Sequence, residues 1–242
     1  MPRAAEINAE TYRTMVRAKG LCSFRVAVKQ TDLLISCGHD LRQVARKLVL
    51  HFRRQIEEYI MEHPRFLCSL SPLAADPLAP PVVKAMLEAG RQAGVGPMAA
   101  VAGALAEAVG RGLLEFTPEV MVENGGDVFI ATDRVREICI LAETSELTGL
   151  TVALSDYSAP VGVCTSSGRL GHSLSLGRSD AVTAVAPSTA LADAAATAIG
   201  NQVQGPRDIE KALALAQSLG LVAVAVLVQG RLGLWGGLAV TG

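Results

Sequence analysis

The stretch Met98–Leu114, MAAVAGALAEAVGRGLL, restricts the fold more than any other part of the chain. It reads as a helix crowded with Ala and Gly. Gly103 inside it costs about 1 kcal/mol of helix stability relative to Ala, so it needs a reason. One is close packing of the helix on a sheet; the other is approach of a ligand to the backbone. The rest of the chain shares this lack of bulk. Aromatic residues are 4% of the sequence, so a core must be assembled from Ala, Val, Leu and Ile. A chain of 242 residues is long enough to bury one of good size.

Short β-rich runs surround that helix. Cys22–Val28 and Asp32–Cys37 form a hairpin across Lys29-Gln30-Thr31. Asp40 caps a long helix, Leu41 to about Met61, whose apolar positions Val44, Leu48, Phe52, Ile56 and Ile60 recur every four residues until His63-Pro64 stops it. Arg65–Pro81, with several prolines, is a connector. Val82–Ala93 is a helix, broken from the next by Gly94-Val95-Gly96-Pro97. Strands follow at Glu119–Glu123, Val128–Ala131, Glu137–Ala142, Thr151–Ser155, Gly162–Thr165 and Ala181–Ala186. Ser188 or Thr189 caps a helix to about Gln202, and Arg207–Leu219 is another. Leu221–Val228 and Leu232–Val240 close the chain as a buried hairpin, apolar enough to pack against a second subunit in a homodimer. Residues 1–75, a hairpin plus a long helix, pack on a core of residues 76–242, and the two are expected to form one compact unit.

Charge and cysteine usage narrow the function. With 22 basic and 23 acidic residues the net charge is −1, which gives no electrostatic footprint for nucleic acid, and few rings exist on which bases could stack. Five cysteines without a C-x-x-C spacing argue against a disulfide framework or a structural zinc, and for a reducing compartment. The N-terminus lacks an apolar signal core, and the most apolar run, Gly220–Val228, is far short of the roughly 20 residues of a membrane helix. The expectation is a cytoplasmic protein with no membrane partner.

Residues suited to chemistry concentrate in two places, Glu123–Asp127 and Gly162–Thr197. Asp193 and Thr197, spaced i, i+4, share a helix face. Together they offer hard oxygen ligands for Mg²⁺, which keeps waters and binds substrate phosphates; Asp193 alone also reads as ordinary helix-start chemistry. Thr165-Ser166-Ser167-Gly168 is a hydroxyl-rich turn whose amides suit an anion, or simply a turn. His172, between Gly171 and Ser173, is a ligand donor, a general base or a structural histidine. Asn124-Gly125-Gly126-Asp127 is either a hairpin turn or a place where a flat or phosphorylated ligand meets the backbone, with Asp127 as acceptor. His39, His51 and His63 read as surface or structural, and Cys164 as a buried thiol.

The order of these segments is informative. Glu-Asn-Gly-Gly-Asp, then Gly-Val-Cys-Thr-Ser-Ser-Gly, then Gly-His-Ser-Leu, then Ala-Asp-Ala-Ala-Ala-Thr-Ala resembles the ApbE family of Mg²⁺-dependent flavin transferases over roughly residues 95–240. The chain is closer still to a shorter branch beside that family. The resemblance implies an α+β fold with mixed, largely antiparallel sheets and packed helices. It implies FAD as donor, Mg²⁺ at the pyrophosphate, and transfer of FMN to a Ser or Thr of an acceptor protein. By matching motifs, Asp193 and Thr197 take the metal. Gly103, Asn124, Gly125, Gly126, Asp127, Thr165, Ser166, Ser167 and Gly168 bind the flavin nucleotide, and His172, Asp127 and Thr165 are the catalytic candidates. Where the family has Lys-Gly before the Gly-Gly-Asp turn, this chain has Ala102-Gly103, and Ser175-Leu176 replaces the Asp-Pro after its His. Two activities therefore stand beside each other: flavin transfer or cleavage of the FAD pyrophosphate, and non-catalytic binding of flavin or another phosphorylated ligand.

Overall fold

Three tight turns lay the strands of the main sheet side by side. Val28 pairs with Thr31, Asn124 with Asp127 and Val228 with Arg231, each across two residues. Lys29, Gly125, Gly126, Gln229 and Gly230 supply the positive φ that tight hairpin connections require. In a computed structural model of the chain, residues 20–132, 137–140, 150–154, 160–166 and 177–241 are described. Eight strands form one sheet in the order β1 (Cys22–Val28), β2 (Thr31–Cys37), β3 (Val120–Asn124), β4 (Asp127–Ala131), β7 (Val161–Ser166), β8 (Ala181–Ala186), β9 (Ala223–Val228), β10 (Arg231–Gly236). Every neighbouring pair is antiparallel. A second sheet joins β5 (Glu137–Ile140), β6 (Leu150–Leu154) and β11 (Leu238–Thr241) in the order β11, β6, β5. The fold is α+β, as expected.

Both faces of the main sheet are covered, so its central strands read as continuous apolar runs; β8 (AVTAVA) and β9 (AVAVLV) are buried along their whole length. The pleat sends alternate residues to opposite faces. Phe129, Cys164, Val182, Ala184, Val224 and Val226 meet the helices. Met121, Val128, Ile130, Val163, Val185 and Ala225 form the core of the other face. The helical layer comprises α1 (Arg42–Glu62), α2 (Arg65–Cys68), α3 (Pro81–Ala93), α4 (Val101–Leu113, preceded by a 3-10 turn at Pro97–Ala100), α5 (Thr189–Gln202) and α6 (Ile209–Ser218). Among the described residues no single helix is long and apolar enough to cross a membrane.

Several expectations are corrected in detail. The buried side of α1 is centred on Ala45, Val49 and Ile56, and most of the every-fourth row read from the sequence is only half-buried. Asp40 lies one residue outside the helix cap and accepts the Arg42 N–H at 2.9 Å. The connector after Pro64 contains the short helix α2. The terminal hairpin is β9–β10 alone. At Gly236, where φ is +83, the chain leaves the main sheet and β11 joins the second one.

The Ala- and Gly-rich helix is α4, and its neighbour is largely α5. A Cβ on Gly103 would lie 2.4 Å from the Thr189 carbonyl oxygen and 2.8 Å from the Asp193 Cβ, so this glycine permits a close helix–helix contact. The expected helix–sheet packing occurs two turns later, where Gly110 faces the Phe129 ring. The two helices also cap one another. Glu107 of α4 accepts the Thr189 N–H at 2.7 Å and the Ser188 hydroxyl at 3.2 Å, satisfying the start of α5. It is held by Arg111, whose Nε donates at 2.9 Å. Glu107→Ala should cost about 1–2 kcal/mol, the range for loss of a helix cap. A lower denaturant midpoint at unchanged slope would show it; an unshifted midpoint would remove the capping role.

Candidate functional site

The return half of this exchange is Asp193. The start of α4 has no side-chain cap of its own, Ala100 standing at that position. Asp193, reaching across from α5, accepts the Gly103 N–H at 2.9 Å through Oδ2. Asn124, at the end of β3, donates its Nδ2 to the Ala102 carbonyl at 3.0 Å and ties the Gly-Gly turn to the same helix start. The turn itself is explained locally. Gly125 and Gly126 have φ of +66 and +108, and the Gly126 N–H donates to Glu123 Oε1 at 3.1 Å. Glu123 is buried at 1% exposure on the sheet face away from the helices.

The pleat sorts the remaining candidates. Asp127 pairs with Cys164 across β4 and β7, and both point toward α5. Ser166, two residues beyond Cys164, shares that face. Thr165 points the other way, where its hydroxyl hydrogen-bonds Thr183 at 2.8 Å. Its backbone N–H bonds the Gly126 carbonyl at 3.3 Å, so it reaches the turn through its main chain. Thr165 and Ser166 belong to β7, not to a turn, and Ser166 pairs with Val182. The structure thus brings Gly103, Asn124, Gly126, Asp127 and Asp193 into one neighbourhood. Thr197 lies one turn along α5 at 9% exposure, while the Thr165 side chain lies across the sheet. Ser167, Gly168 and His172 lie outside the described residues.

The electrostatics of this neighbourhood are unusual. Burial lifts the Asp193 carboxyl to about 7, against the pull of the Gly103 and Ala102 amides. Burial also raises the Asp127 carboxyl well above the usual range; the Asp193 charge adds to this and a hydrogen bond from Cys164 opposes it. Burial pushes the Cys164 thiol up too, reinforced by Asp127 and Asp193. Cys164 is a buried thiol whose Sγ lies 3.4 Å from the Thr189 carbonyl. Among the described residues, what holds the two aspartates down is backbone amides and a thiol, not a cation. Asp193 nevertheless keeps a partial opening to solvent.

These features fit a divalent cation that also uses substrate oxygens. A carboxylate offers about four acceptor sites, so capping α4 does not exhaust Asp193. Asp193 and Thr197 present two hard oxygen groups on one helix face, and the Asp127 carboxyl lies beside Asp193 with no cation acting on either among the described residues. Among the described residues no group of three or more His, Cys, Asp or Glu is placed to hold a metal ion. A cation here would depend on waters and a bound phosphate to complete its shell, the usual situation for Mg²⁺. The sequence did not mark Glu107, and it marked Ala102 for a missing lysine, not for its carbonyl. A glutamate in mid-helix reads as surface, and a carbonyl carries no side-chain signal.

An α+β body with helices packed on an eight-stranded antiparallel sheet is the class of fold found in the ApbE flavin transferases. The chain is similar to the flavin transferase ApbE from Vibrio cholerae, with a TM-score of 0.59 and 13% identity, covering 89% of this chain and 96% of that one. It is also similar to the Pseudomonas stutzeri flavinyl transferase ApbE, with a TM-score of 0.60 and 17% identity over 91% and 94% of the two chains. The family model described as "AbpE bacteria" matches residues 13–230, and the chain belongs to that family. Its curated relatives include UPF0280 proteins. One from Methanococcus aeolicus is 34% identical over 86% of both chains. One from Methanocaldococcus jannaschii is 39% identical over 77% of both.

Proposed function

We propose that the chain binds FAD with Mg²⁺ at Asp193 and Thr197 and breaks the FAD pyrophosphate, passing FMN to a hydroxyl of an acceptor protein or to water. The observation that carries this reading is the Asp127–Asp193 neighbourhood: two buried carboxyls that meet no cation among the described residues, Asp193 partly open to solvent, on the fold of the flavin transferases. Bound Mg²⁺ would offset the charge growing on the departing phosphate. Asp193 and Thr197 would hold it, while Gly103 fixes the Asp193 carboxylate in place. Asp127 is a candidate base: burial and the Asp193 charge raise its carboxyl, and a cation at Asp193 would favour the ionised form that can take the proton of the attacking hydroxyl. His172 is the other candidate base. The new P–O bond forms at the FMN phosphorus as the bridging P–O bond breaks, and AMP leaves.

One observation favours a second reading, flavin binding without turnover. Ala102 stands where the family's lysine would supply a positive charge, and its carbonyl is occupied by Asn124. The two readings part on AMP. Purified protein with FAD, Mg²⁺ and hydroxyl-bearing acceptor peptides should release AMP, scored by chromatography. Retention of FAD without AMP under all these conditions would leave only the binding role, and absence of FAD binding would remove both.

A further inference from the structure

We propose that a recess beside Gly200, faced by the hydroxyls of Ser166 and Ser179, receives a phosphoryl oxygen of the nucleotide; the inference rests on the FAD and Mg²⁺ reading above and deepens it. Ser179 carries the argument. It is 1% exposed, and among the described residues its Oγ has no hydrogen-bond partner. A buried hydroxyl left unpaired costs about 1–3 kcal/mol. Proteins keep such groups where a ligand or water completes them.

Gly200 shows where that partner fits. It sits in the last turn of α5 in helical conformation, without a positive φ. A Cβ there would lie 3.5 Å from Ser179 Oγ, 3.9 Å from Ser166 Oγ and 3.9 Å from Val182 Cγ2, ordinary contacts with nothing nearer. Neither backbone strain nor tight packing therefore calls for glycine, which in a helix interior costs up to about 1 kcal/mol relative to alanine. What glycine provides is room for one heavy atom facing two hydroxyls. Gly103 on α4 is the opposite case, pressed against a carbonyl.

The recess also has the right address. Asp193, Thr197 and Gly200 are spaced i, i+4, i+7 and share one face of α5. Gly200 lies about 4.5 Å along the axis from Thr197. A diphosphate whose oxygens sit on a cation held by Asp193 and Thr197 has a further oxygen to place along this face. Serine hydroxyls are donors for it, and bonds to a charged oxygen are the stronger kind.

The test uses the full chain and two substitutions, Ser179→Ala and Gly200→Ala, titrated calorimetrically with FAD and with ADP, each with Mg²⁺. Both variants should keep or raise the melting temperature and bind both nucleotides about tenfold more weakly, the effect of losing one good hydrogen bond to a charged group. If both variants retain wild-type affinity for FAD and ADP, the recess holds only water and the inference falls while the function stands. If the wild-type chain binds neither nucleotide, the proposed function falls and takes this inference with it.

Discussion

Asp193→Ala is expected to abolish AMP release, and Asp193→Asn to do so while leaving the fold intact. The two variants separate the two tasks that the structure assigns to one side chain. As a cap, Asp193 needs only an acceptor oxygen for the Gly103 N–H. Asparagine retains one; alanine does not and should lose about 1–2 kcal/mol. As a cation ligand it needs its charge, which both variants remove. The pH dependence provides a second readout. In the folded chain the Asp193 carboxyl is raised from 3.8 to about 7. The native state then holds more protons than the unfolded state across that interval, so stability falls as pH rises from about 4 to about 7 and levels off above it. Asp127, raised in the same direction and sensitive to the Asp193 charge, adds to the slope. Asp193→Asn should therefore flatten this loss and, at pH 8, match or exceed the wild type, by on the order of 1–2 kcal/mol. Mg²⁺ should raise the wild-type melting temperature at pH 8 more than at pH 5, and should leave the asparagine variant unmoved. Sustained AMP release by either variant would sink the metal role of Asp193, and an unchanged slope in Asp193→Asn would sink its titration.

Much of this fold was legible because its elements depend on local pattern. β1 and β8 begin and end where alternation and turn residues place them, and α5 starts at the Ser188 cap that its sequence announces. The Gly-Gly turn was readable as a hairpin because positive φ is a local requirement. What was not legible belongs to the crossing of elements. The exchange in which Asp193 caps α4 and Glu107 caps α5 joins residues 90 and 82 positions apart, and each looks ordinary on its own helix. The same limit explains Thr165. Its motif groups it with Ser166, but once both lie in β7 the pleat divides them between two faces of the sheet. Asp193 and Thr197 could be paired from spacing alone, because a helix is itself a local geometry. That Asp127 and Cys164 lie beside Asp193 follows only from the register of β4 on β7 and the seating of α5 over both.

A large loss of stability should come from Gly103→Ala, although alanine is the better helix former by about 1 kcal/mol. The added methyl would meet the Thr189 carbonyl oxygen at 2.4 Å and the Asp193 Cβ at 2.8 Å. The first of these is backbone within a helix and cannot rotate aside, so α4 and α5 would have to part. Overpacking of this kind costs about 1–3 kcal/mol. Parting the helices also stretches the Gly103 bond to Asp193 and the Thr189 bond to Glu107 together, each a hydrogen bond to a charged group worth about 1.5–3 kcal/mol. Even with partial relaxation the net loss should be about 3 kcal/mol, read as a lower denaturant midpoint. Gly200→Ala is the internal control. It adds the same methyl to the neighbouring helix where the nearest atom is 3.5 Å away, and should be neutral or stabilising. Opposite signs for these two substitutions would tie the Gly103 loss to the approach of α4 on α5, not to glycine chemistry in general. If Gly103→Ala proved as stable as the parent, the close crossing could not be what positions Asp193. The case for a cation site on α5 would then have to rest on Thr197 and the Asp127 charge alone.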